Sequence, residues 1–584
     1  MRKKIIMFFI VVAAISAAYA YYSIHRNNAA DENKAKSQTQ QSANADTEQS
    51  ATDALEDDTP KFNDKIDMSK WVKHKKHHVY YQLGIPYCST PADENIEKLA
   101  IFVPAKFMKC QRSRKTGLYK CEPRPDEFIG RYTVENAPIV IPVETPEYAA
   151  MPALTKYKDV QKFTKAGLIY VHAGCRGIEH AAPACVTDIK AAIRFLRHNK
   201  TSLPANTDNI YVFGVGEGGG QSAILGASGD SPLYQPYLQE IGALNFGSDA
   251  VHGVMAWSPL INVETANEAY EWNMGYTRKG LTQNQHELSN RMARAYVDYI
   301  NNSGFRDEDN NPLLLQYSQR GIYQSGTYYD YVKRVIEDAV SEFLDKTDFP
   351  YTPPREEYKF GQFSSGEIKI KGEIDPQGTF LTRRQYLKYL NSRRKWIGYD
   401  FMQSKTVIRS VDDFIQSFKP ATKEIGAFDA INRQQIENRL FRTDDGQNRH
   451  FDELTMKILH GHPKEKEFMD DFIATDRLGI TVAQRRNMYS PLYYLLPSSQ
   501  GFHSSKVAQF WRIRSGINRT ETALNTEINL FLAAKRYPGV KDADFKAIWA
   551  EGQVIADEAG TTPEDAFLAW LDETINSDRW INMK

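Results

Sequence analysis

Residues 211–221 read YVFGVGEGGGQ, and this stretch constrains the chain more than any other. An apolar β-type run over 209–214 enters a glycine cluster, and small residues continue it as a helix over 218–226. The pattern predicts a strand, a sharp turn and a helix whose backbone approaches its neighbours closely. The frame Gly214-Val215-Gly216-Glu217-Gly218 has the spacing of G-x-S-x-G, in which the turn lifts a serine oxygen above a sheet. Here the serine slot holds Gly216. The shape of a site is expected without its reactive atom.

The chain has 584 residues, enough for one large domain carrying an insertion. Lys plus Arg and Asp plus Glu each number 73, so charge gives no reason to expect a nucleic-acid partner. Thirty-two Tyr and eight Trp fit core packing or the recognition of sugars and phenolics. Residues 1–26 read as a signal peptide or membrane anchor: Met1-Arg2-Lys3-Lys4 is basic and 5–24 holds no charged residue. Either form exports the body to the periplasm or cell envelope, with membrane contact only through this segment. Residues 27–79 are expected to be a polar, unstructured tether, with WVKHKKHH (71–78) a solvated charged turn rather than a metal site. Five cysteines fit an oxidising compartment. Cys110 with Cys121 and Cys175 with Cys185 are disulfide candidates, Cys88 is left over, and the pairing stays open.

The folded body is expected from Tyr80. Strand character marks 97–103, 137–143, 167–172, 209–214 and 251–257, the later runs continuously apolar as in a sheet buried on both faces. A helix follows Pro183, with Val186, Ile189, Ile193 and Leu196 on one face and Asp188, Lys190, Arg194 and Arg197 between them. This alternation predicts an α/β fold with a doubly wound, mostly parallel sheet. It stops over 259–502, where helical stripes such as Leu288, Met292, Tyr296 and Ile300 predict a mainly helical lid. It resumes over 503–584 with strands at 507–514 and 545–549 and helices at 522–536 and 563–575. The expected domains are therefore a core in two parts, 80–258 and 503–584, around the lid.

Four segments carry a resemblance: YVHAGCRG (170–177), the run from APACVTDIKAAIRFLRHN through the turn to GASGDSPLYQPYLQEIGA, AFDAINRQQIENRLF (427–441), and FWRIRSGINRTET. Together they resemble the bacterial tannases and related feruloyl esterases of the α/β-hydrolase fold. The resemblance implies that fold with a large helical lid, a serine nucleophile at the Gly216 position, an acid at Glu521 (or, in another frame, Arg519), and a catalytic histidine at Gln553 after Trp549-Ala550-Glu551-Gly552. It also implies oxyanion donors at the Glu217 N–H and near Gly174, Cys175 and Arg176. Glu179 lies close to that mouth in sequence.

Glycine offers no nucleophile and glutamine no base near neutral pH. Other nucleophiles are poorly placed: Ser222 lies within the helix, and Cys175 with His172 or His180 competes with a disulfide and a buried strand. His460 and His462 read as a surface loop. The glycines at 214–219 lack the acidic residue of a dinucleotide site. No cofactor or metal is expected. The resulting expectation is an exported, hydrolytically inactive tannase-like protein that binds a small aromatic or phenolic ester or acid, or a protein partner. An esterase with a non-standard catalytic set and an envelope interaction protein are the alternatives.

Overall fold

A computed structural model of the chain describes residues 62–318, 324–353, 358–360, 368–370, 378–550 and 562–582. The export segment, the most polar part of the tether and Gln553 lie outside the described residues.

The core is a nine-stranded sheet. Its strands are β1 (Val72–His74), β2 (Val79–Pro86), β3 (Lys98–Pro104), β4 (Ile139–Val143), β5 (Ile169–Ala173), β6 (Ile210–Val215), β7 (Gly253–Trp257), β8 (Phe510–Gly516) and β9 (Asp542–Ile548). Their order is β1-β2-β3-β5-β4-β6-β7-β8-β9. β1, β2 and β3 pair antiparallel and β3 meets β5 antiparallel. From β5 to β9 every pairing is parallel. Every residue of β4, β5 and β7 is buried, which explains why these strands read as unbroken apolar runs. The chain goes from β4 outward to β5 and then back across β4 to β6. That reversal makes the carboxyl ends of β4 and β6 a switch point, where open sheets hold their clefts.

Helix α1 (Ala184–His198) links β5 to β6 and α2 (Glu217–Ala227) links β6 to β7. The charged residues of α1 turn inward: Asp188 and Lys190 are fully buried. Arg176 reaches Asp188 at 2.6 Å, and Lys190 and Arg194 both pair with Asp249, at 2.7 and 2.8 Å. A helix covered on both faces can carry charges inward once each has an opposite partner.

Between β7 and β8 the chain makes the expected insertion. It is led by α3 (Ala266–Met274), α4 (Gln283–Ser303) and α5 (Thr327–Lys346). Helix α4 begins with a Thr282–Gln285 capping box and buries Met292, Tyr296 and Ile300. The hydroxyls of Tyr296 and Tyr328 meet at 3.0 Å, and Tyr328 donates to Asn529 of α6 (Leu524–Arg536), joining insertion to core. The insertion is less purely helical than predicted, because Ile397–Asp400 and Lys405–Ile408 form a hairpin. Its edge receives Ser341 and Glu337 of α5 through the Thr406 and Ile408 amides. A last helix, α7, spans Pro563–Asn582.

The body starts before Tyr80. Trp71 is fully buried and pairs with Tyr119 through the backbone, so this part of 27–79 is core rather than tether. His74 stacks on Tyr157 with ring centroids 3.9 Å apart and His77 bonds the Tyr157 hydroxyl at 2.9 Å, so WVKHKKHH packs two of its histidines. Cys110 and Cys121 form a disulfide across a hairpin. Cys88, Cys175 and Cys185 are buried free thiols, and the sulfurs of Cys175 and Cys185 lie 3.1 Å apart without a bond.

The turn after β6 depends on two glycines. Gly216 has φ 58° and ψ −122°, where a Cβ is strained. A Cβ on Gly218 would meet the Val143 carbonyl oxygen at 2.1 Å. Gly218→Ala should therefore lose about 3 kcal/mol by forcing β4 and α2 apart. Gly216→Ala should lose only about 1 kcal/mol through backbone strain. Denaturant midpoints of the two variants against the parent check this order.

Candidate functional site

β6 ends at Val215, and the chain turns at Gly216 directly into α2. The end of β7 holds this turn from both sides. Gly216 N–H donates to the Trp257 carbonyl at 3.0 Å, and the Gly216 carbonyl accepts from Leu260 N–H at 2.9 Å. Below it Gln221 accepts from Thr145 at 2.5 Å and from Cys185 at 3.3 Å, and donates to the Tyr489 hydroxyl at 3.2 Å. The elbow is thus fixed to β4, α1 and the insertion together.

Beside Glu217 opens a cavity of about 260 Å³. Its walls come from the loop after β4, the elbow, the insertion and the loop after β8. Pro146, Val215, Leu260 and Ile436 give it an apolar flank. Glu144, Glu147, Glu217, Glu437 and Glu521 bring five carboxyl groups, against Lys423 and Arg519. Glu521 and Arg519, the two candidates for the acid position, therefore open on the same cavity as the elbow. Arg519 is committed to the Ser258 carbonyl at 2.5 Å and to Glu527 at 3.4 Å. Glu521 is exposed.

The loop after β4 carries strain. Glu147 has φ 51° and Tyr148 φ 56°, left-handed values that side chains rarely adopt. This loop, not the one after β5, lies beside the elbow strand in the sheet. Around Gly174, Cys175 and Arg176 the backbone amides are already used: they donate to the Lys98 carbonyl, the Met151 carbonyl and the Asp188 carboxylate. Arg176 is buried and bound by Asp188 and Glu97. The amides at 174–176 are therefore not free to act as oxyanion donors, and the loop after β4 is the one that flanks the elbow. Glu179 lies outside this cavity and pairs with Arg439 and Arg442.

The other nucleophile and base candidates are held elsewhere. Ser222 donates to the Gly218 carbonyl at 2.8 Å inside the helix. His172 is bonded to the Pro152 carbonyl at 2.8 Å, and burial pushes its pKa down to about 3. His180 faces a different cavity, with Tyr237 and Arg485. His460 is exposed and bonded to Glu465. Among the described residues no Ser, Cys or His lines the elbow cavity, and no group of three or more His, Cys, Asp or Glu is placed to hold a metal.

Two residues here escape sequence reasoning. Lys423 donates to the Ala427 carbonyl and sits over the Phe428 ring at 4.0 Å. Glu437, in the short helix Ile436–Leu440, is fully buried, and neither carboxyl oxygen has a hydrogen-bond partner among the described residues. Burial pushes its pKa up to about 7, with Lys423 pulling it down. Burial also raises Glu144 to about 7 and Glu217 above the ordinary carboxyl range. A glutamate in the mostly polar run QQIENR looks solvated in sequence; its burial depends on where the insertion folds back.

The comparisons agree with this architecture. The BD-FAE family model matches residues 143–318, which include the loop after β4 and the elbow. No curated protein matches. The tannase of Fusobacterium nucleatum superposes with a TM-score of 0.66 at 22% identity, over 88% of this chain and 99% of that one. The native tannin acyl hydrolase of Lactobacillus plantarum gives 0.62 at 22%, over 85% and 94%. A tannin acyl hydrolase in complex with ethyl gallate gives 0.62 at 23%, again over 85% and 94%. The chain has the α/β-hydrolase fold in its tannase-like form.

Glu437 and Arg176 test the site's electrostatics. A carboxyl with a raised folded pKa binds protons more tightly in the folded state, so its ionisation destabilises the fold as pH rises from about 4.5 to 7. Glu437→Gln should therefore change stability little at pH 4.5 and raise it by on the order of 2 kcal/mol at pH 8. Urea midpoints at the two pH values check this. Arg176→Met leaves Asp188 and Glu97 buried without their cation and should cost about 3–5 kcal/mol, read from the same midpoints.

Proposed function

We propose that this chain is an exported tannase-fold protein that binds a small phenolic ester in the elbow cavity and does not hydrolyse it. One observation carries the proposal: Gly216 holds the elbow conformation without a nucleophile, and no Ser, Cys or His among the described residues lines the cavity to replace it. Removing a triad nucleophile or base costs about 10⁶ in kcat in the subtilisin example. Here Gly216 stands at the nucleophile position, and the histidine position implied by resemblance holds Gln553.

The phenolic reading is supported by the cavity's apolar flank, its Lys423 and carboxyl groups as partners for ring hydroxyls, and the similar structures of tannin acyl hydrolase in complex with ethyl gallate and with 3,4-dihydroxybenzoate. Export is supported by the basic start and charge-free run of residues 1–24 and by the Cys110–Cys121 disulfide. Among the described residues no helix is long and apolar enough to cross a membrane, so an anchor would lie in residues 1–26.

Titration calorimetry with ethyl gallate should give saturable binding, while chromatography of the same mixture recovers the ester uncleaved. Binding should weaken at least tenfold in Lys423→Ala, the cavity's amine. Gly216→Ser alone should stay inactive, and Gly216→Ser with Gln553→His should gain detectable ester cleavage. Cleavage by the parent chain, abolished by a cavity substitution, would refute the proposal.

A further inference from the structure

Two buried thiols behind the elbow have no part in the binding reading above. Cys175 lies in the loop after β5 and Cys185 in the first turn of α1, and both are buried. Their sulfurs stand 3.1 Å apart, so a shift of about 1 Å brings them to the ~2.05 Å of a disulfide. The backbone holds both positions. Cys175 exchanges two backbone hydrogen bonds with Met151, at 2.8 and 2.9 Å. A Cβ on Gly177 would meet the Ala150 amide nitrogen at 2.2 Å, so the loop lies directly on the 149–151 segment. Cys185 is fixed by its helix. Asp188, one turn further on, accepts from the Arg176 amide at 2.7 Å and from its guanidinium at 2.6 Å. The residue after Cys175 is thereby clamped to the turn after Cys185, and the two sulfurs cannot drift apart.

The surroundings accept a bond at this point. Cys185 donates to Gln221 at 3.3 Å, but the same Gln221 oxygen accepts from Thr145 at 2.5 Å. Losing the Cys185 proton therefore leaves no buried acceptor without a donor. Cys88 is not a rival partner, since its sulfur turns to the Glu97 carboxyl at 3.8 Å. The chain carries one disulfide already, Cys110–Cys121, and conditions that keep that bond act on the other cysteines as well. Burial pushes the Cys185 thiol well above its ordinary pKa, so in the folded chain it is not the thiolate that disulfide exchange requires. The bond must then form while the chain folds, and once buried it resists reduction.

We infer that Cys175 and Cys185 form a second disulfide, which locks the loop after β5 to α1 and leaves Cys88 as the one free thiol. The oxidant is the disulfide of a thiol carrier. One cysteine thiolate attacks a carrier sulfur, forming a mixed disulfide as a carrier thiolate leaves. The second cysteine attacks the mixed bond and releases the other half of the carrier. Two electrons and two protons pass to the carrier disulfide, which becomes two thiols. The closed loop has fewer conformations in the unfolded chain, so the bond stabilises the fold. It lies against Gln221 of α2 and braces the elbow helix from behind.

The test folds the full chain from urea in a buffer of oxidised and reduced glutathione and keeps product whose circular dichroism matches the purified protein. That product is denatured, capped with N-ethylmaleimide and measured by intact-protein and peptide mass spectrometry. One capped thiol, at Cys88, is expected, with linked peptides for Cys110–Cys121 and Cys175–Cys185. Three capped thiols with only Cys110–Cys121 linked would overturn the inference, as would a link from Cys88 to either partner. Because the thiols are counted on denatured parent protein, the result does not depend on a variant folding. Melting temperature gives a second readout. Reduction should lower it more in the parent than in Cys175→Ala with Cys185→Ala, and equal drops would show that no bond between the two stabilises the fold.

Discussion

The turn at Gly216 is the constraint on which the rest depends. Its left-handed backbone is fixed by hydrogen bonds to Trp257 and Leu260, and Gly218 presses against the Val143 carbonyl. The sheet, α2 and the loop after β4 can meet only in this geometry. Such a turn normally stores strain in order to expose a nucleophile. With glycine the strain is relieved, yet the surrounding close contacts remain.

The chemistry follows from what surrounds that empty position. A hydrolase elbow presents amide donors to an anionic intermediate. In this chain the residue after the turn is Glu217, and Glu144, Glu147, Glu437 and Glu521 line the same cavity. The charge arrangement opposes the build-up of negative charge that acyl transfer requires. The absence of a side chain at Gly216 and the excess of carboxyl groups over Lys423 and Arg519 arise from different residues, and both support the proposed binding role.

Much of this was legible in the sequence because it is local. The parallel strands are unbroken apolar runs, and the glycine spacing at 214–220 admits few shapes. The strand β1 was harder, since a short, partly exposed antiparallel edge strand shares its composition with a tether. The buried charges of α1 were misleading because Asp249 and Arg176, which neutralise them, come from other segments. At the site, the turn at Gly216 was legible from its glycine spacing, and Glu217 and Glu521, expected from motif and resemblance, line the cavity beside it. Lys423, Glu437 and Glu147 were not, because only the folding of the insertion and the order of β4, β5 and β6 bring them to the elbow. The same strand order places the segment after β4, not 174–176, beside the elbow.

The central claim is that no group in this cavity attacks an acyl carbon. Intact-protein mass spectrometry after exposure to an excess of a p-nitrophenyl acyl ester tests it directly, because a nucleophile would retain the acyl group. The account predicts an unchanged protein mass and no p-nitrophenol above the uncatalysed rate. A single acyl adduct mapping to a side chain at the elbow cavity, formed together with a stoichiometric burst of p-nitrophenol, would contradict it.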